Sequence, residues 1–301
     1  MTGAVVETAG LGKQYGSIWA LQDCSVTLPA GRVVALVGPN GAGKTTLLKI
    51  LVGLMTPTTG SVRVLGAEAS GRDAALLARV GYVAQETPLY RTFSVRDMVS
   101  FGRHMNPRFD DEGMRRRLEQ LEIPLDRQCG RLSGGQQSQV ALALALAKRP
   151  ELLILDEPVA RLDPLARHEF LETLMEAVAD TQMTVLLSSH LIADLEHVCD
   201  HLLLVMAGRL QVAGDIDDLL RTHHLVKGPR DGAGEPSNGT VVERRDSDRQ
   251  TQLLVRGDAP VAGPDWEVTE VGLEQLVLGY LRQGGRPPKA QPRRTSVEVL
   301  P

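Results

Sequence analysis

Residues 32–46 read RVVALVGPNGAGKTT, and residues 47–52 continue as LLKILV. Five consecutive apolar residues after Arg32 predict a strand buried on both faces, and the amphipathic run after residue 46 predicts a helix. Between them Gly38-Pro39-Asn40-Gly41-Ala42-Gly43-Lys44-Thr45-Thr46 matches the phosphate-loop spacing G-x-x-x-x-G-K-[ST] in the strand-to-helix context that the motif requires. Gly38, Gly41 and Gly43 let the backbone curl so that successive N–H groups point at a phosphate, and the following helix adds the positive end of its dipole. Lys44 is placed to reach the β and γ phosphates, and the Thr45 hydroxyl to ligate Mg²⁺, an ion that takes few protein ligands. A chance glycine-rich turn would not be expected to carry both the strand before it and the helix after it.

Working outward, residues 152–156 (LLILD), 183–188 (MTVLLS) and 202–206 (LLLVM) are further buried-strand candidates, alternating with helical stretches at 45–52, 164–179 and 190–198. That alternation predicts a parallel α/β sheet. Residues 1–28 and 61–65 instead alternate polar and apolar positions, as expected of an antiparallel sheet. Ser94-Val-Arg-Asp97 reads as a capping box opening a helix to about residue 103, and 110–121 is a second, strongly charged helix; together they predict a helical insert at about 86–148. The resulting division is a main unit at 1–226, a linker at 227–239 (KGPRDGAGEPSNG), a small α+β unit at 240–283, and a proline-containing disordered tail at 284–301. Within the small unit, strands are expected at 240–243, 251–256 and 266–270 and a helix at 273–281.

Composition narrows the function. Thirty-three basic against 37 acidic residues give a formal charge of -4, and no basic run is long enough to favour nucleic acid. No stretch reaches the roughly 18 apolar residues of a spanning helix and the first residues do not read as a signal peptide, so a cytoplasmic location is expected. Cys24, Cys129 and Cys199 show no paired spacing for a disulfide framework or a zinc site.

The strand at 152–156 ends in Asp156-Glu157, and in an open α/β sheet ligands bind at the carboxyl ends of strands. Both motifs therefore meet at one crevice, where Asp156 is placed to hold the Mg²⁺ shell and Glu157 to orient or polarise an attacking water. Ser133-Gly134-Gly135-Gln136, within Leu132-Ser-Gly-Gly-Gln136 (LSGGQ), presents a hydroxyl and bare backbone N–H groups at a second helix N-terminus, a second anion site.

With LSGGQ in place, the sequence from residue 5 to about 220 resembles the ATP-binding cassette family. Five elements stand in the family order: the phosphate loop, Gln85 of the Q-loop, LSGGQ, LLILDEP at 152–158 and the switch histidine His190. The resemblance implies a P-loop ATPase fold with a mixed core sheet, an antiparallel β subdomain and a helical subdomain. It further implies ATP and Mg²⁺ as ligands, Tyr15 stacking on adenine, Gln85 touching the Mg²⁺ shell, and His190 bonding the γ-phosphate and Glu157. Asp163 falls in the D-loop. The family's arrangement is a head-to-tail dimer in which one subunit's Ser133 to Gln136 covers the other's ATP. Two departures stand out: the D-loop reads Ala160-Arg161-Leu162-Asp163 where S-G-L-D is common, and Gln137-Ser138-Gln139 follow LSGGQ where arginines are frequent. The first leaves both a homodimer and a heterodimer with a second cassette ATPase open.

Fold does not decide function, so the class is argued separately. The interval from Lys44 to Asp156 is too short, and has no sustained heptads, for the long coiled coils of chromosome-maintenance ATPases. No N-K-x-D motif marks a GTPase. The chain resembles the ATPase subunits of bacterial export systems, whose integral membrane permease is a separate polypeptide; the helical insert around 93–103 would then receive a coupling helix. A soluble mechanochemical ATPase and an importer ATPase are the alternatives.

Overall fold

The computed structural model describes residues 3–69, 73–86, 89–192, 194–230, 238–257 and 263–283. The expected tail at 284–301 and linker residues 231–237 lie outside the described residues. Two long strands, β1 (Ala4–Tyr15) and β2 (Ile18–Pro29), come first and are followed by β3 (Val33–Val37), α1 (Lys44–Leu51), β4 (Thr59–Val64) and β5 (Ala67–Glu68). Next stand α2 (Ala74–Arg79) and β6 (Val80–Val83), then the helices α3 (Val95–Met105), α4 (Asp111–Gln120) and α5 (Gly134–Ala147). The chain returns through β7 (Leu152–Asp156), α6 (Pro164–Thr181), β8 (Thr184–Ser189), β9 (His201–Met206), β10 (Arg209–Asp215) and α7 (Ile216–Arg221). It ends in β11 (His223–Pro229), β12 (Thr240–Asp246), β13 (Gln250–Arg256), β14 (Glu267–Glu270) and α8 (Leu273–Arg282).

The central sheet runs β10-β9-β3-β8-β7-β6, parallel throughout except for β10. Every residue of β3, β7 and β8 is buried, as expected for strands covered on both faces. The period of two sorts their side chains: Val33, Ala35 and Val37 face a core with Leu155, Leu187 and Phe170, while Val34 and Leu36 face one with Ile154, Leu186 and Leu48. The second core also holds Val6, Leu11, Leu21 and Val64 of the antiparallel sheet β2-β1-β4-β5, so α1 is clamped between two sheets. The strand order sets the carboxyl ends of β3, β8, β7 and β6 side by side, and this adjacency builds the site.

The helices α3, α4 and α5 close around their own core of Val95, Met98, Met114, Leu118, Val140 and Ala143. The expected capping box is present, with Ser94 Oγ accepting from Asp97 N at 3.1 Å and Asp97 Oδ2 accepting from Ser94 N at 2.9 Å.

Two expectations are corrected. Among the described residues of 190–198 there is no helix. Ser189 Oγ accepts from Leu191 N at 3.0 Å and donates to Leu191 O at 3.3 Å, a local bond that competes with helix initiation. The backbone then passes through a series of turns, Leu195 N to Ile192 O at 2.9 Å and Cys199 N to Leu195 O at 2.9 Å, with Leu195 buried in the core.

Lys227, Gly228 and Pro229, expected in the linker, belong to β11. This strand pairs with β13 and β14 in a sheet ordered β12-β13-β11-β14. Glycine and proline are tolerated there for specific reasons. A Cβ at Gly228 would run into the Trp266 indole, and Pro229 lies beyond the end of the β14 pairing, where its missing N–H is not needed. Helix α8 buries Leu273, Leu276, Val277 and Tyr280 in the same continuous core as Ile216 and Leu219 of α7. The C-terminal elements thus share core with the main unit.

Candidate functional site

The phosphate loop leaves β3 in a conformation that only its glycines allow. Gly41 and Gly43 have φ of 80° and 105°, and a Cβ on Gly43 would strike the Ala20 carbonyl of β2. No acidic side chain stands in the first turn of α1 and no side chain caps it, which leaves its N–H groups to an anion. Residues 40–46 with Ala20, Gln85 and Glu157 line a pocket of about 440 Å³. Ala20 is a lining residue that the sequence did not suggest, because it arrives from a different sheet.

Lys44 is 5% exposed, and its Nζ donates to Gly38 O at 2.7 Å. It also lies 3.3 Å from Glu157 Oε1. Across the cleft Thr45 Oγ1 donates to Asp156 Oδ1 at 3.2 Å, so the two motifs meet. Burial pushes the Asp156 carboxyl above its ordinary value, opposed by hydrogen bonds from Ser188 and Thr45 and by the Lys44 charge. A hydroxyl and one carboxylate are hard oxygen donors of the kind Mg²⁺ takes when a nucleotide supplies further oxygens.

Glu157 departs from strand geometry at φ 46° and turns its carboxylate into the pocket. There Oε2 accepts from Gln85 Nε2 at 3.4 Å and lies 3.4 Å from His190 Nδ1. A single carboxylate thus contacts Lys44, Gln85 and His190, three residues drawn from three separate segments of the chain.

Other sequence-predicted residues stand apart. Tyr15 is 47% exposed at the end of β1, outside the pocket lining; its Oη donates to Met55 Sδ at 2.8 Å. Ser133 caps α5, with Oγ accepting from Gln136 N at 3.1 Å and Gln136 Oε1 accepting from Ser133 N at 3.2 Å. Ser133 and Gly134 are exposed, and none of Ser133, Gly134, Gly135 and Gln136 lines the pocket within this chain. Asp163 caps α6 through Ala166 N at 3.0 Å, with Arg161 exposed and Leu162 buried beside it. Ser188, which the sequence reading did not single out, hydrogen-bonds both Asp156 and the Glu157 amide. Its signal is a hydroxyl side chain at the end of an otherwise apolar buried strand, where polar groups must find partners.

A phosphate loop between a buried parallel strand and a helix, meeting a second strand that ends in two carboxylates, defines the class as a P-loop nucleoside triphosphatase. The family model described as ABC transporter matches residues 21–160. The Nod factor export ATP-binding protein I of Rhizobium johnstonii is 35% identical over 260 residues, covering 84% of this chain and 79% of the relative. The sulfate/thiosulfate import ATP-binding protein CysA of Escherichia coli is 33% identical over 284 residues, covering 91% and 72%. Among solved structures, an ATP-binding subunit of an ABC transporter superposes with a TM-score of 0.65 at 30% identity, covering 72% of this chain and 92% of that one. The cbiO1 protein of Clostridium perfringens, part of the ABC transporter complex cbiONQ, gives 0.62 at 28% identity, covering 71% and 89%. The chain belongs to the ABC transporter family: it is an ATP-binding ATPase subunit, of a family that couples ATP hydrolysis to transport. Its relatives include both exporters and importers. Among the described residues no helix is long and apolar enough to cross a membrane.

Proposed function

We propose that this ATPase powers export. In this reading it acts as a head-to-tail dimer on the cytoplasmic face of a membrane, docked on a separate integral membrane permease. The observation that carries the catalytic half is the Glu157 carboxylate, 3.3 Å from Lys44 and 3.4 Å from both Gln85 and His190. That is the neighbourhood a water-orienting group needs beside a bound γ-phosphate.

In this scheme residues 38–46 and the α1 N-terminus bind the β and γ phosphates, with Lys44 exchanging its Gly38 and Glu157 partners for phosphate oxygens. Thr45 and Asp156 would hold Mg²⁺, with Gln85 reaching its shell; the ion supplies charge neutralisation on the phosphates. Glu157 orients a water whose oxygen attacks the γ-phosphorus as the bond to the β–γ bridging oxygen breaks, leaving ADP and phosphate. His190 braces Glu157 and the γ-phosphate, and Tyr15 stacks on adenine. Ser133, Gly134, Gly135 and Gln136 of a second cassette close the site, Asp163 lies at the shared interface, and loss of the γ-phosphate loosens the dimer. The second cassette is another copy of this chain or a related ATPase.

Docking on a permease is supported by an aromatic cluster directly after Gln85. Tyr90, Phe93 and Phe101 are 55%, 38% and 44% exposed, with Tyr90 centroids 5.0 Å from Phe93 and 5.9 Å from Phe101. An apolar patch of this kind, formed by the loop before α3 and by α3 itself, suits a helix-in-groove contact. Export is supported by the Nod factor export relatives. Import is favoured by one observation, the alignment of the sulfate/thiosulfate relative across 91% of the chain.

The dimer is tested by light scattering after size exclusion on Glu157→Gln with and without Mg-ATP. An ATP-dependent dimer supports a self-sufficient composite site, whereas a monomer that still binds ATP points to a heterologous partner. Direction is tested in inside-out vesicles carrying the chain and its permease: ATP should drive substrate into the lumen, and ATP-driven release from the lumen would refute export.

A further inference from the structure

Strand β8 runs Thr184-Val-Leu-Leu-Ser-Ser189, and the side chain of Ser188 is completely shielded from solvent. The parallel pairing of β7 with β8 sets Ser188 directly opposite Asp156. From that position its Oγ donates to Asp156 Oδ1 at 3.0 Å and accepts from the backbone N–H of Glu157 at 2.8 Å. A serine hydroxyl has one proton and two lone pairs, so both bonds are satisfied at once. Glu157 is the first residue beyond β7 and sits at φ 46°, in the left-handed region that glutamate rarely adopts. Its amide has left the strand ladder, and its carbonyl accepts from Ala160 N at 3.2 Å in the following turn. The hydroxyl is therefore the group that receives this N–H and ties the turn to the neighbouring strand.

We propose that Ser188 is a positioning residue for ATP hydrolysis. By holding the Glu157 amide it fixes the left-handed turn that aims the Glu157 carboxylate between Lys44, Gln85 and His190, and through the same atom it locks that turn to Asp156. The proposal rests on the reading of Glu157 as the water-orienting carboxylate. It predicts that removing one buried hydroxyl slows turnover while leaving the phosphate loop, and hence ATP binding, in place. Side chains that orient a directly acting group commonly change activity by about 10–100-fold, and displacement of a reacting group by about 1 Å can cost about 100-fold.

The experiment is steady-state ATP hydrolysis by the full-length chain at saturating Mg²⁺, with Ser188→Ala, Ser188→Thr and Glu157→Gln measured beside the unaltered protein. Binding of a fluorescent ATP analogue and the melting temperature are recorded for each. Expected for Ser188→Ala is a kcat lowered roughly 10–100-fold with ATP affinity close to unaltered and the melting temperature lowered by the stranded Glu157 N–H. Ser188→Thr keeps the hydroxyl on a strand that favours β-branched residues, and should recover most of kcat. Unchanged turnover in Ser188→Ala overturns the proposal. So does a fall in ATP affinity that parallels the fall in turnover, or failure of folded Ser188→Thr to recover. Normal turnover in Glu157→Gln would instead remove the role assigned to Glu157, which separates failure of that reading from failure of this one.

Discussion

Tyr280→Phe tests how the C-terminal elements are fastened to the rest of the molecule. His223, the first residue of β11, has no solvent exposure, and its Nδ1 lies 2.7 Å from Leu219 O while Nε2 lies 2.9 Å from Tyr280 Oη. A carbonyl only accepts, so Nδ1 carries the proton and Nε2 accepts from the Tyr280 hydroxyl. Removing that hydroxyl leaves the ring packing intact, strands one buried acceptor and breaks the hydroxyl's hydrogen bond with Arg256, a loss of about 1–3 kcal/mol. At about 2–4 °C per kcal/mol for a chain of this size class, scanning calorimetry should show a clear fall in melting temperature, and hydrogen exchange should speed up in α8. The pH dependence has a definite sign. Burial depresses the His223 pKa, only partly offset by the Leu219 bond, so below about pH 6.5 the unfolded chain takes up a proton that the native chain does not. Stability from this residue is complete above that pH and is lost as pH falls toward the depressed native value. A melting temperature unchanged in Tyr280→Phe, or a chain whose stability rises on acidification from pH 7 to 5.5, would refute the reasoning.

Two further outcomes rest on single contacts. Ser133→Ala should lower composite-site turnover on the order of 100-fold with ATP affinity of the monomer unchanged, and should destabilise α5 by about 0.5–2 kcal/mol through the lost cap; Ser133→Asp should restore the melting temperature but not turnover. Among the described residues the Tyr82 hydroxyl is buried without a hydrogen-bond partner, and burial, reinforced by Asp156, pushes its pKa up to about 12. Tyr82→Phe should therefore leave stability unchanged or raise it by up to about 1 kcal/mol, and a drop of several degrees in denaturation midpoint would mean the hydroxyl has a partner in solution.

The legible parts of this protein share one property. Residues 38–46, 132–136 and 152–158 carry their chemistry in contiguous stretches, because a phosphate is held by consecutive backbone N–H groups and a strand end presents neighbouring side chains. The capping box at Ser94 is legible for the same reason, since its two bonds span three residues. Strand β11 is not, because Lys227-Gly228-Pro229 has linker composition and becomes strand only where Trp266 fills the space above Gly228 and β14 ends before Pro229. The turns at 190–198 carry a helical periodicity that misleads, because the Ser189 side chain takes the backbone elsewhere.

Sequence alone determined that this chain holds a phosphate loop, a carboxylate-ended strand and a signature helix, since each motif is written in consecutive residues and needs no partner to be recognised. Only the tertiary structure decided that Lys44 and Gln85 join His190 at the Glu157 carboxylate and that Ser188 stands behind it. Those contacts join residues far apart in the chain, and they arise because the order β3-β8-β7-β6 lays four strand ends side by side with Asp156 in register opposite Ser188.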